Sequence, residues 1–213
     1  MAQKEDILEQ IVEEYLTHEG YFVQHNIKFK PITSEPEYDA NKDRVPSDID
    51  VLAFHPCRSD HQKVIAVNVK SWQTGFNIDQ VLKDIENNRM VSGRPTHLRY
   101  RELIIPKWSN AYIRAIKDRT GCDRFTYLLA ATWVRGEKVR WEDNARFIKA
   151  LKGNPIKVIT LREMVEKIEQ RLTQTPAATD IGRTLQLFLA AGLRTRTAPP
   201  MGNPDTIEDE EQH

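Results

Sequence analysis

Three side chains at the ends of two apolar runs bring a carboxylate, an amide and an ammonium into one neighbourhood. Asp50 opens the run Val51–Phe54, and Asn68 and Lys70, two residues apart, stand at the end of Val64–Val69. A polar stretch containing Pro56 separates the runs, which is the pattern of two strands joined by a turn. Side chains at i and i+2 of a strand share a face. Asn68 and Lys70 are therefore expected to face one way, and Val67 and Val69 the other. A carboxylate on one strand beside an amide and an ammonium on its neighbour offers a place for a divalent cation and a phosphate. Hard oxygen ligands hold Mg²⁺, and a fixed cation stabilises charge that develops on phosphoryl oxygens.

Other elements must position this pair of strands. Ile7, Leu8, Ile11, Val12, Tyr15 and Leu16 recur at helical spacing, predicting a helix from about Lys4 to Glu19 that Gly20 stops. Glu9 and Glu14 lie at opposite borders of its apolar stripe. Tyr21–Phe29 alternates as a strand, and the Pro- and Asp-bearing stretch from Pro31 to Val45 reads as a long surface loop. A helix is expected over Asn77 to Asn88, with Asn77 as its cap and Gln80 placed for a reciprocal cap.

Arg89, Arg94, Arg99 and Arg101 form the most basic window, with His97 and Tyr100 among them. Such a window suits a nucleic-acid backbone, although a charge run is more often a solvated surface. Further on, the pattern predicts a short strand at Leu103–Ile105 stopped by Pro106, a helix over Asn110–Thr120 and a buried strand over Arg124–Val134. A helix over Asp143–Leu151, a strand over Ile156–Thr160 and a helix over Leu161–Leu172 complete it. Strands alternating with helices make the class α/β.

The chain has 213 residues, enough for one sizeable domain and a tail. It is 39% hydrophobic and 29% charged, and Lys plus Arg balance Asp plus Glu at 31 each. No global basic charge advertises nucleic acid, so a local groove would have to do that work. Two cysteines, Cys57 and Cys122, are too few for a disulfide framework. No apolar run approaches a membrane span, and a cytoplasmic protein is expected. His55, Cys57 and His61 match no standard zinc spacing and lack a fourth ligand, so a polar turn explains them better. Trp108, Trp133 and Trp141 are expected in the core.

A helix bearing a glutamate, then Gly20-Tyr21-Phe22-Val23, Asp50-Val51-Leu52-Ala53 and Val67-x-Val69-Lys70, in that order, resembles the PD-(D/E)xK nuclease superfamily. The layout is most similar to its Holliday junction resolvases and Mrr-like members. The likeness covers roughly Leu8 to Asn88. It implies a restriction endonuclease-like α-β-β-β-α-β core, a mixed sheet flanked by helices, with additional C-terminal α/β elements. The nuclease-like domain would span 1–172 with its core motifs in 5–90, followed by a linker and short helix over 173–193 and a disordered acidic tail over 194–213. That short helix would dock on the domain or on a partner chain, and a homodimer is one form such a protein takes.

By the same resemblance, Asp50 matches the metal-binding aspartate, Lys70 the lysine of the (D/E)xK triplet, and Glu9 the first-helix glutamate. Asp48 offers a second carboxylate two residues before Asp50. The implied cofactor is Mg²⁺ or Mn²⁺ and the implied partner DNA. From position alone, Trp72 just past Lys70 would stack on a base, guard the metal or fill the core, and Gln73 would bond substrate or lie at the surface. Gln80 on the second helix and Arg94 in the basic window are further candidates for contact with the nucleic acid. Asn68 departs from the pattern, because it stands where the family usually has Glu or Asp. Three outcomes are open. Asn68 serves as a neutral ligand; another carboxylate, such as Asp48, Glu9 or Asp79, supplies the charge; or catalysis is lost and binding kept.

Overall fold

The first helix, α1 (Ile7–His18), starts where Asp6 accepts a hydrogen bond from the Leu8 amide and so caps a free N–H. The computed structural model describes residues 6–35, 37–70, 74–91, 93–172 and 176–193. Three strands follow α1 as an antiparallel meander: β1 (Phe22–Phe29), β2 (Ser47–Phe54) and β3 (Val64–Lys70). Next come β4 (Phe76–Asn77), α2 (Ile78–Glu86), a small hairpin of β5 (Met90–Val91) and β6 (Arg94–Pro95), and a 3₁₀ turn at Thr96–Tyr100. Two helices, α3 (Arg101–Ile104) and α4 (Pro106–Thr120), lead to β7 (Thr126–Ala131). The chain continues through β8 (Val134–Arg135), α5 (Lys138–Glu142), α6 (Ala145–Ala150), β9 (Ile156–Thr160), α7 (Leu161–Arg171) and α8 (Asp180–Ala190).

The main sheet runs β1-β2-β3-β7-β9, and β7 lies parallel to both β3 and β9. The fold is α/β, a mixed five-stranded sheet flanked by helices. One face buries Phe29, Ile49, Ala66 and Tyr127 with Trp108, Tyr112 and Trp141. The other buries Val51, Val67 and Leu128 under Leu8, Val12 and Leu16 of α1 and Met164 and Ile168 of α7. Along β3 the expected alternation holds: Ala66 faces the first cluster, and Val67 and Val69 the second.

In β1 and β2 the alternation changes sides part-way. Val23 packs with the α1 cluster while Ile27 and Phe29 join the other, and Val51 and Ile49 divide in the same way. The exchange falls at Asn26, whose φ of 56° is left-handed. With Val51 paired to His25 and Ile49 to Ile27, Asp50 sits opposite that turn in the strand.

Several expectations are corrected. Leu103–Ile105 is not a strand: Leu103 and Ile104 belong to α3, because β3 pairs directly with β7 and leaves no edge between them. Pro106 does not stop a strand but begins α4, where its missing N–H costs nothing. Asp50 does not open β2, which already starts at Ser47. Asn77 caps α2 by accepting from the Gln80 amide, but the Gln80 side chain binds Asp84 instead of returning to the cap. The strand expected at Arg124–Val134 shortens to β7, and Val134 pairs with Phe76 in a separate small sheet. The helix expected at Asp143–Leu151 is α6, shortened to Ala145–Ala150 and capped by Asn144, and the separate short helix α5 before it was not expected. Trp108 and Trp141 are core residues, whereas Trp133 is 39% exposed.

The short C-terminal helix docks on the domain. Glu14 is fully buried, not at a border, and accepts hydrogen bonds from Ala178 N, Thr179 N and Thr179 Oγ1 at 2.7–3.1 Å and pairs with His18 Nε2 at 2.8 Å. Thr179 in turn caps α8. The tail over 194–213 lies outside the described residues. Among the described residues no helix is long and apolar enough to cross a membrane.

Candidate active site at the ends of β2 and β3

The ladder between β2 and β3 runs from Phe54↔Val64 to Val51↔Val67. Asp50 lies just beyond it, and its Oδ2 accepts the Val69 amide at 2.6 Å, replacing the backbone acceptor. Burial pushes the Asp50 carboxyl up, against the pull of Lys70 and the Val69 hydrogen bond, while Asp48 and Asp6 add repulsion. The Lys70 ammonium lies 5.6 Å from the centre of the Tyr100 ring, a distance at which an aromatic face attracts a cation.

Asn68 is 7% exposed. Its Nδ2 donates to Glu102 Oε1 at 3.3 Å, and its Oδ1 is buried with no hydrogen-bond partner. Glu102, on α3, is 2% exposed and also accepts the Tyr127 hydroxyl at 2.9 Å. Burial raises its carboxyl, Lys70 and the Tyr127 hydrogen bond lower it, and Asp50 raises it again. The phenols of Tyr100, Tyr112 and Tyr127 are all pushed up by burial, with Glu102 adding to each. The end of β3 therefore has two carboxylates, a buried amide and an ammonium against a wall of tyrosines, where charge is poorly screened.

No known family, curated protein or solved structure matches this chain.

The remaining sequence-based candidates are distributed differently. Asp48 is half-buried, and its carboxylate pairs with Lys28 at 2.6 Å. Glu9 is in the first turn of α1, whose capping Asp6 acts electrostatically on Asp50. Asp79 is paired with Arg140. Gln80 is exposed on α2, with its amide donating to Asp84, and Arg94 is exposed in β6. Trp72 and Gln73 lie outside the described residues. Among the described residues there is no group of three or more His, Cys, Asp or Glu side chains placed to hold a metal ion. His55 Nδ1 accepts the Cys57 and Arg58 amides, and His61 bonds Asn154, as a polar turn requires.

Glu102 is the member of this cluster that the sequence reading missed. It lies 34 residues beyond Asn68, between the basic window and the segment expected as a strand. Its signal was a lone carboxylate beside Leu103, Ile104 and Ile105, a context that favours burial.

A hollow of about 890 Å³ between α4 and the start of β7 contains none of these side chains. Of the cations that line it, Arg114, Lys117 and Arg124 are paired with Glu35, Asp123 and Asp60.

Proposed function

We propose that this chain is a divalent-metal-dependent endonuclease-like protein that hydrolyses phosphodiester bonds in DNA, on a restriction endonuclease-like core. The observation that carries this reading is the convergence of Asp50, Glu102 and the unpartnered Oδ1 of Asn68 beside Lys70. The order of α1, the antiparallel meander β1-β2-β3 and a helical crossover into parallel β7 supports it.

The donor set fits Mg²⁺ or Mn²⁺, since all three ligands offer hard oxygen. Asp50 and Glu102 each use one oxygen on a neighbour, and the other takes no hydrogen bond from another described residue. Asp50, Asn68 and Glu102 would hold the cation, with Glu9 and Asp48 as outer carboxylates. A bound cation supplies an activated water and neutralises charge on the phosphoryl oxygens. Lys70, held over Tyr100, orients the attacking water and meets the charge that develops on the phosphate. Glu102 thus supplies the carboxylate that β3 lacks.

A second reading is favoured by Asn68 itself, which is neutral, buried and tied to Glu102. On that reading the chain is a catalytically silent nuclease-fold module that binds DNA or a protein. Incubation with supercoiled plasmid and with branched DNA, in Mg²⁺ or Mn²⁺, separates the two. Nicking that disappears in Asp50→Ala and in Lys70→Ala supports hydrolysis. DNA retention with no cleavage in any divalent metal supports the silent module.

A further inference from the structure

Arg101 precedes Glu102 on α3, and its guanidinium carbon lies 3.4 Å from the centre of the Trp108 ring. Trp108 is itself fixed: its Nε1 donates to Asp43 Oδ1 at 3.1 Å. Asp43 is buried. Burial works against its charge, but hydrogen bonds from the Asp39 amide, Lys107 and Trp108 hold its carboxyl below the usual range. The contact therefore holds the Arg101 fork against a fixed ring, with less rotamer freedom left to lose on binding.

Among the described residues no oxygen accepts a hydrogen bond from this half-buried guanidinium. Three carboxylates act on it through space, Glu102, Asp43 and Asp48. Each is already bonded to another donor: Glu102 to Tyr127 and Asn68, Asp43 to Lys107 and Trp108, and Asp48 to Lys28. A guanidinium has five N–H donors in fixed geometry, and those of Arg101 are open to solvent rather than sealed in the core. The ligand that suits a planar, preoriented and unpaired fork is an oxyanion with two oxygens to offer.

We propose that Arg101, stacked on Trp108, is a binding residue that grips a backbone phosphate of nucleic acid beside the Asp50–Lys70–Glu102 cluster. This assignment rests on the phosphodiester reading above and adds to it the group that holds the strand in place.

The test uses the full chain and a fluorescein-labelled, mixed-sequence DNA duplex in EDTA, with binding measured across a salt series. Arg101→Gln should weaken binding about 10-fold and reduce the slope of log affinity against log salt by about 0.9, as the loss of one phosphate contact requires. Arg101→Lys should keep the wild-type slope but not the full affinity, since it retains the charge without the fork. Duplex binding should change Trp108 emission, read as the part of the signal absent from Trp108→Phe, and Arg101→Gln should abolish that change. Thermal melts of all variants exclude unfolding as the cause.

Wild-type affinity and slope in Arg101→Gln overturn the proposal, as does equal loss in the Gln and Lys variants with no change of slope. If nicking is lost in Asp50→Ala while Arg101→Gln binds normally, the phosphate assignment falls and the hydrolytic reading stands. A wild-type chain that neither binds nor cuts the duplex overturns both.

Discussion

Replacing Glu102 with Gln should stabilise the metal-free protein at pH 8. Burial lifts the folded-state carboxyl above its ordinary value of 4.5. Between the unfolded and folded values the native state therefore holds more protons than the unfolded chain. Stability is then full below the unfolded value and falls as pH rises through the folded one. Ionised Glu102 carries a desolvation cost of several kcal/mol. Hydrogen bonds to a charged group offset about 1.5–3 kcal/mol each, and Glu102 accepts two from other residues, one of them long at 3.3 Å, besides one from its own backbone amide that a glutamine oxygen can also accept. Gln keeps an acceptor for Tyr127 and carries no charge, which leaves a net gain of about 1–3 kcal/mol, or about 2–4 °C in Tm for each kcal/mol in a chain of this size. Thermal melts at pH 5 and pH 8 read the difference, which should shrink at the lower pH. Mg²⁺ should raise the wild-type Tm at pH 8 and leave Glu102→Gln unmoved. A Gln variant that melts below wild type at pH 8, by more than at pH 5, refutes the reasoning, because the ionised carboxylate would then be a net support of the fold.

Three other perturbations follow from the same structure. Asn68→Asp, nearly isosteric, should cost about 1–3 kcal/mol without metal by facing Glu102 with a second buried charge, and should tighten Mg²⁺ binding in isothermal titration; unchanged affinity counts against a metal role for this position. Glu14→Ala leaves the amides of Ala178 and Thr179 and the His18 ring without their acceptor and should cost about 3 kcal/mol, with faster amide exchange across α8 as the direct readout. Gly182→Ala places a Cβ 2.3 Å from the Glu14 carboxyl and should cost about 1–3 kcal/mol by overpacking; combined with Glu14→Ala, its effect should largely vanish, and simple additivity argues against the contact.

The strands were legible where apolar residues alternate between closed flanks, as in Val64–Lys70, and the helices where a cap and a stop bracket the periodicity, as at Asn77 and Gly121. Asp50 and Lys70 were legible as a pair because the turn between their strands is local. Glu102 was not, because what makes it part of the site is a tertiary contact between α3 and β3. α3 in turn exists because the sheet has no vacant edge there, which no local pattern states. The side exchange at Asn26 was hidden for a related reason: period two assumes an unbroken pleat, and one left-handed residue changes which side later residues face. Glu14 shows the converse. It lies among residues that mark an ordinary helix face, and its burial depends on a segment more than 160 positions away.

That last separation has a consequence for how the protein is made. A chain leaves the ribosome in order, and α1 emerges well before α8. Until Ala178 and Thr179 have followed, Glu14 is a carboxylate in an apolar seam with the His18 ring beside it. Helix α1 therefore waits on residues made more than 160 positions later for its final seating. A nascent chain truncated before residue 178 should hold the sheet and its helices but leave that seam wet. Emergence of residues 178–179, rather than formation of the sheet, then closes that seam.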